Sequence, residues 1–292
     1  MFVLAHLSDP HLAPLPDPTW RELIGKRVTG YVNWRRKRRL MHRSDLLAKV
    51  VADLKASGAD HIVVTGDLIN ISLAAEYAPA RAWLASLGSP ENVSVVPGNH
   101  DAYVRSAKPH LHWGDYMRGD DMDRPAFPFL RRRGSVVIIG LSSAAPSLPF
   151  TATGILGDEQ IARLATLLDA CADEGLFRVV AIHHPLSSTR GRHFKRLIDA
   201  AKLRNTLVRH GAELVIHGHD HVPSRMFLKG GYRPIPVIGV ASASEARSAF
   251  SCPGYNLYRI EAKSRPYTCE MLARALSSDE QSMADIERVR LA

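Results

Sequence analysis

Residues 213–222 read ELVIHGHDHV, an aliphatic run that leads into histidines at 217, 219 and 221. Side chains alternate between the two faces of a strand, so three imidazoles at every second position would share one face. Alternation alone leaves three readings open: all three histidines bind a metal, two do, or the run is only a polar strand end. The choice depends on how the other strands end. FVLAHL (2–7) leads into Asp9 and His11, and HIVVTG (61–66) leads into Asp67. NVSVVPG (92–98) leads into Asn99, His100 and Asp101, and RVVAIHH (178–184) carries His183 and His184 at its end. A sixth run, SVVIIGL (135–141), has the same composition. Helical periodicity over 44–57, 74–87, 158–173 and 195–210 separates these runs, and Asp158 and Glu159 place acids in the first turn of the third helix. Strands alternating with helices imply an α/β architecture with a largely parallel central sheet. In such sheets ligands bind beyond the carboxyl ends of the strands, so five separate loops are expected to converge on one site.

The 292 residues allow one large domain or two. No run of 18 apolar residues appears, so no membrane-spanning helix is expected. The start, MFVLAHLSDPHL, reads as a first strand rather than a leader, and three cysteines without metal-type spacing fit a reduced, cytoplasmic protein. The formal charge of +9 is unevenly placed. Residues 21–43 hold nine Lys/Arg against Glu22, which leaves 29 bases and 28 acids for the rest. Basicity is therefore a property of one segment.

Carboxylates, imidazoles and one amide oxygen, without thiolates, suit divalent Mn, Fe or Zn. There are more candidates than one four-coordinate ion needs, and two ions sharing a carboxylate would use them all. Read singly, each residue has a plainer role: Asp9 as a turn residue before Pro10, Asp67 as a helix N-cap, Asn99 as part of a turn. The joint pattern is harder to dismiss. Asp9-Pro10-His11, Gly66-Asp67, Gly98-Asn99-His100-Asp101, His183-His184-Pro185 and Gly218-His219-Asp220-His221, in this order, resemble the calcineurin-like metallophosphoesterase superfamily.

The resemblance implies an α/β fold, a four-layer αββα sandwich of two mixed β-sheets flanked by helices, in a single domain over 1–275. It implies two divalent ions, with Asp9, His11 and His221 on the first, Asn99, His183 and His219 on the second, and Asp67 bridging them. It implies attack on phosphorus by a bridging hydroxide, with His100 stabilising or protonating the leaving oxygen and Asp101 orienting His100. His217 then becomes a core or supporting residue, and Gly218 lets the backbone turn toward the ions. His184 falls outside the pattern and reads as a packing or supporting residue, and His42, His61, His110, His112, His193 and His210 match nothing in it and read as ordinary.

Asp67 is followed by LINIS rather than by the D-R-G of Ser/Thr protein phosphatases, and no tyrosine stands at the purple acid phosphatase spacing. The chain looks most like the bacterial phosphodiesterase branch, which includes class III cyclic nucleotide phosphodiesterases. The expected substrate is a phosphodiester or a pyrophosphate. Alternatives are a lipid-precursor or phospholipid hydrolase, a nuclease, or a non-catalytic interaction module of the same fold.

Two segments fit no core element, 12–43 and 103–134, and read as insertions. In the first, Trp20, Leu23, Ile24, Val28, Tyr31 and Val32 recur at near-helical spacing beside a basic face. Residues 20–43 could grip an anionic membrane, which would make the chain peripheral on the inner membrane face. They could instead track a nucleic acid, or only meet solvent. The second insertion, with Tyr103, His110, Trp113, Tyr116 and Arg131–Arg133, is expected to form the other wall of the cleft. Past residue 222, a hairpin around Gly230-Gly231 and the runs YNLYRIEA and YTCEMLA read as a second, mostly antiparallel sheet. Residues 276–292 read as a polar, peripheral and helical tail.

Overall fold

A computed structural model describes all residues except 188–192, 231–232, 247 and 249–250. Twelve strands are described: β1 (Phe2–Leu7), β2 (His61–Val64), β3 (Val93–Val95), β4 (Phe129–Arg133), β5 (Val136–Gly140), β6 (Phe177–Ala181), β7 (Leu214–His217), β8 (Ser224–Leu228), β9 (Ile235–Gly239), β10 (Gly254–Glu261), β11 (Thr268–Leu276) and β12 (Met283–Arg290). The helices are α1 (Lys26–Asn33), α2 (Arg39–Met41), α3 (Ser44–Ala56), α4 (Ala74–Leu87), α5 (His110–Trp113), α6 (Asp158–Asp173) and α7 (Ala200–His210). A π-helical turn over Trp34–Arg38 joins α1 to α2.

Two six-stranded mixed sheets result, ordered β12-β11-β10-β1-β2-β3 and β4-β5-β6-β7-β9-β8. Their layering follows from which neighbour of each strand pair is apolar. Leu4, Ile138, Val179, Ile216 and Ile260 meet between the sheets with Phe129, Phe177 and Tyr258. The adjacent residues point the other way. Ala5, Ile62 and Val64 pack under Leu46, Val50 and Leu54 of α3 and Leu84 of α4. Ile139, Val180 and Val215 pack under Leu164 and Leu168 of α6 and Leu203 and Leu207 of α7. Strands buried on both faces need near-continuous apolar runs, as observed here, and the result is the expected four-layer αββα sandwich.

The C-terminal strands depart from expectation. They do not form a sheet of their own. β8 and β9 extend the second sheet, with β9 parallel to β7, while β10 pairs antiparallel with β1 and extends the first. Of the expected hairpin tip, Gly231 lies outside the described residues. The tail expected as a helix is β12, which pairs with β11 along the sheet edge. Its side chains are mostly exposed, so the open backbone groups of β11 rather than an apolar face set its conformation.

The segment 103–134 also departs. Its last residues form β4, paired to β5, and Trp113 and Tyr116 are buried against α4. The buried Arg131 guanidinium donates to the carbonyls of Arg118, Val93 and Asp115. Of the side chains expected to wall the cleft, only Tyr103 reaches it.

Candidate metal centre

β1, β2, β6 and β7 are parallel within their sheets, and their carboxyl ends meet at one edge of the sandwich. Asp9, His11, Asp67, Asn99, His100, His183, His219 and His221 come together there. Among the described residues, eight non-glycine residues have left-handed backbone, and five are Asp9, His11, Asp67, His219 and His221. That conformation costs on the order of 1 kcal/mol or more each and concentrates where function requires it. Two glycines permit the close approach. A Cβ on Gly98 would stand 2.2 Å from Asp67 Oδ1, and one on Gly218 would stand 1.8 Å from Ser8 Oγ. Gly218 thus serves close packing; its φ is not positive.

One carboxylate stands between two groups of imidazoles. Asp67 Oδ2 is 3.8 Å from His11 Nε2 and 3.4 Å from His183 Nε2. On one side, His183 Nε2 lies 3.2 Å from Asn99 Oδ1 and 3.1 Å from His219 Nδ1. On the other, His221 Nε2 lies 3.3 Å from Asp9 Oδ1 and 3.3 Å from His11 Nε2. Each ring is turned by its outer nitrogen. His183 Nδ1 donates to the Thr65 carbonyl (2.6 Å), His11 Nδ1 to that of Ile69 (3.3 Å) and His219 Nε2 to that of Lys195 (3.0 Å). The Glu245 carboxylate accepts from His221 Nδ1. Outer partners of this kind fix the tautomer and aim a lone pair inward.

The electrostatics are those of a cation site. Burial resists charge on His183 and His221, yet the facing carboxylates raise both to about 9. Burial also pushes Asp67 up, but His183 and His100 hold its carboxyl well below the usual range. Asp9 Oδ1 is buried and faces the imidazoles of His221 at 3.3 Å and His11 at 3.9 Å. A buried carboxylate oxygen among inward-facing imidazoles fits a divalent ion, and the O/N donor set suits Mn, Fe or Zn. Asp9, His11, Asp67 and His221 would hold one ion, and Asp67, Asn99, His183 and His219 the other.

Asp101 is placed differently from expectation. Its carboxylate accepts from the backbone N–H groups of Asp67, Leu68, Ile69 and Gly98 at 2.8–3.2 Å, and so holds the loop that carries Asp67. The His100 ring is held instead by the Asn70 carbonyl, which accepts from Nδ1. Glu76 fixes that stretch by accepting from the N–H groups of Asn70, Ile71 and Leu73. His184 supports the site from behind, with Nδ1 2.7 Å from Ser143 Oγ. His217 ends β7 as a buried residue.

The first insertion covers the site. Leu23, Tyr31 and Trp34 pack on Leu15, Ile71, Leu73 and Tyr103. Arg27 donates to the carbonyls of Ile71 (3.1 Å) and Ser72 (2.5 Å). The π-turn then directs Arg38 inward. Arg38 Nη1 is 2.7 Å from His100 Nε2, and Nη2 is 2.7 Å from His11 Nε2. The basic run is therefore not one patch: Arg38 turns in while Arg35, Arg36, Lys37 and Arg39 are exposed. His42, expected to be ordinary, is buried beside His11 and His221. Neither residue announces itself in the sequence, because both reach the site through long-range packing. With Tyr103, Phe150 and Thr151, the insertion encloses a cleft of about 860 Å³ over Asp67 and His100.

The calcineurin-like phosphoesterase family model matches residues 2–223. No curated protein matches. A dimetal phosphatase from Danio rerio is similar in structure, with a TM-score of 0.64 at 13% identity, covering 100% of this chain and 98% of that one. A purple acid phosphatase from yellow lupin (Lupinus luteus) seeds has the same score and identity over 99% of this chain and 53% of its own. GAP50, the anchor in the inner membrane complex of Plasmodium, scores 0.51 at 12% identity, covering 99% and 88%. At such identities these likenesses show the fold alone. The family match spans most of the chain and includes every strand-end loop that builds the cluster, so this protein belongs to the calcineurin-like phosphoesterase family.

Proposed function

We propose that this protein is a dinuclear metal-dependent phosphodiesterase. The observation that carries the reading is Asp67 Oδ2, placed between the His11 and His183 groups at 3.8 and 3.4 Å. Two divalent ions would supply Lewis-acid activation of a phosphoryl oxygen and of an attacking water. The chain's own residues do the rest. His100, with Nδ1 on the Asn70 carbonyl, presents the Nε2 lone pair to the cleft, where Arg38 donates to it. Burial and Arg38 push its pKa down to about 3, so it would take up a proton for the leaving oxygen only after Arg38 has turned to the phosphoryl group. Arg38 brings a guanidinium held by imidazole nitrogens rather than by a carboxylate, and its planar fork matches two phosphoryl oxygens. Asp101 keeps the Asp67 loop in place, and the insertion limits water. A cleft of about 860 Å³ leaves room for substituents on both sides of a diester. The test compares bis(p-nitrophenyl) phosphate with p-nitrophenyl phosphate in the presence of Mn²⁺. Preferential diester cleavage by a protein holding two ions per chain is expected. Fewer than two ions with no cleavage of either ester would end the enzyme reading.

A second reading, a substrate met at an anionic membrane surface, is favoured by one observation. Trp20 (72% exposed) and Ile24 (70%) stand out from the insertion that carries the exposed Arg35, Arg36 and Arg39, and Val28, Val32 and Phe150 (87%) line the cleft as exposed apolar side chains. Among the described residues, no helix is long and apolar enough to cross a membrane. Replacing Arg35, Arg36 and Arg39 with glutamine should weaken sedimentation with phosphatidylglycerol vesicles. Equal sedimentation of the triple variant, or none of the wild type, removes this reading.

A further inference from the structure

We infer that His42, supplied by the insertion, is an additional protein ligand to the ion that Asp9, His11, Asp67 and His221 would hold. The inference rests on the two-ion reading above. His42 is 2% exposed, and its ring lies 4.4 Å from that of His11 and 5.5 Å from that of His221, centre to centre. The ligand nitrogens of the three residues lie within 4.8 Å of one another.

The hydrogen bonds fit the tautomer that a ligand needs. Arg38 can only donate, and its Nη2 lies 3.4 Å from His42 Nε2, so Nε2 presents a lone pair. Nδ1 then carries the proton, with Ser244 Oγ 2.9 Å away to accept it. The same Nη2 is 2.7 Å from His11 Nε2, so both lone pairs already face one cation. A second feature points to an ion at this corner: the buried Asp9 Oδ1 faces His221 Nε2 at 3.3 Å and His11 Nε2 at 3.9 Å, so carboxylate and imidazoles converge beside His42. The placement is also rigid. Arg43 N–H donates to the Ser244 carbonyl (2.9 Å) and Ala246 N–H to that of Met41 (2.6 Å), and Glu245 of the same stretch turns His221.

Three imidazoles and two carboxylates would then serve this ion, more donors than zinc usually takes, so this corner would favour Mn²⁺ or Fe²⁺. Arg38 would leave its imidazole partners when the ion binds, and its fork would become free for the phosphoryl group.

The test counts Mn²⁺ by equilibrium dialysis in wild type, His42→Ala and His42→Gln, and records the visible spectrum of the Co²⁺-loaded proteins. Wild type should hold two ions. Both variants should keep one tightly, at Asp67, Asn99, His183 and His219, which also reports that they fold. The other ion should weaken about 10–100-fold, the range for a lost ligand partner, and the Co²⁺ bands should intensify as coordination number falls. Two ions held as tightly as in wild type, with an unchanged Co²⁺ spectrum, would overturn the assignment. A wild type with one ion that gains a second in Arg38→Ala would also overturn it, because Arg38 would then be the resident cation. A wild type with no ions would instead sink the two-ion reading itself.

Discussion

The two halves of the site are built by different means. The half around His183 is made by strand ends alone: Asn99, His183 and His219 are buried, and the two rings are anchored on the backbone carbonyls of Thr65 and Lys195. The half around His11 is finished by side chains from distant segments. Glu245 turns His221, Ser244 turns His42, and Arg38 reaches in from the insertion. Backbone anchors come with the fold and cannot be removed by substitution. Side-chain anchors can be, so the second half is where this chain can vary its metal and its substrate without disturbing the core.

The largest expected effect erases the difference between the halves. Asp67→Ala removes the one carboxylate that faces both, and should take bound ions from two to none and abolish diester cleavage. Retention of two ions would show that each half stands alone. His100→Ala is expected to leave both ions in place while slowing turnover by roughly 100-fold or more, as for a lost acid or oxyanion donor. Wild-type turnover would remove His100 from the chemistry. Glu245→Gln should weaken one ion by about 10–100-fold and leave the other unchanged. Equal weakening of both would break the proposed division.

The smallest effect tests a histidine outside both halves. His61 is buried at the start of β2, with Nε2 2.7 Å from Ser94 Oγ. Burial, assisted by Arg133 and Arg131, pushes its pKa down to about 3. The unfolded chain takes up this proton near 6.5 and the folded chain does not. The contribution of neutral His61 is therefore complete above pH 6.5 and is lost as pH falls toward 3. His61→Gln should remove about 1.4 kcal/mol per pH unit from the slope of stability in that window, read from urea melts between pH 7 and 4.5, without changing ion count. An unaltered slope would show that His61 is protonated in the fold.

That the polar residues of the site gather at one edge was legible because each follows an aliphatic run, and a chain that buries both strand faces can place such residues only where the run stops. Asp101 was misread for a related reason. Adjacency to His100 suggested a pair, but a carboxylate buried under a loop of free N–H groups is worth more to the backbone, and Asn70, thirty residues away, holds the ring. Composition points the aromatic residues of 103–134 to the cleft, whereas Trp113 and Tyr116 pack on apolar partners under α4. β12 was illegible because its sequence has no apolar face; only the open edge of β11 makes it a strand.

By itself the sequence determined the layered α/β fold, the family and the strand-end cluster, since apolar period and polar strand ends are local features that follow from burial. The tertiary structure decided what lies over that cluster. Arg38 and His42 reach it only because Trp34, Tyr31 and Leu23 pack on Ile71 and Tyr103, and because Met41–Arg43 hydrogen-bonds to Ser244–Ala246. Those contacts join residues as far apart as Met41 and Ala246, and no spacing along the chain records them.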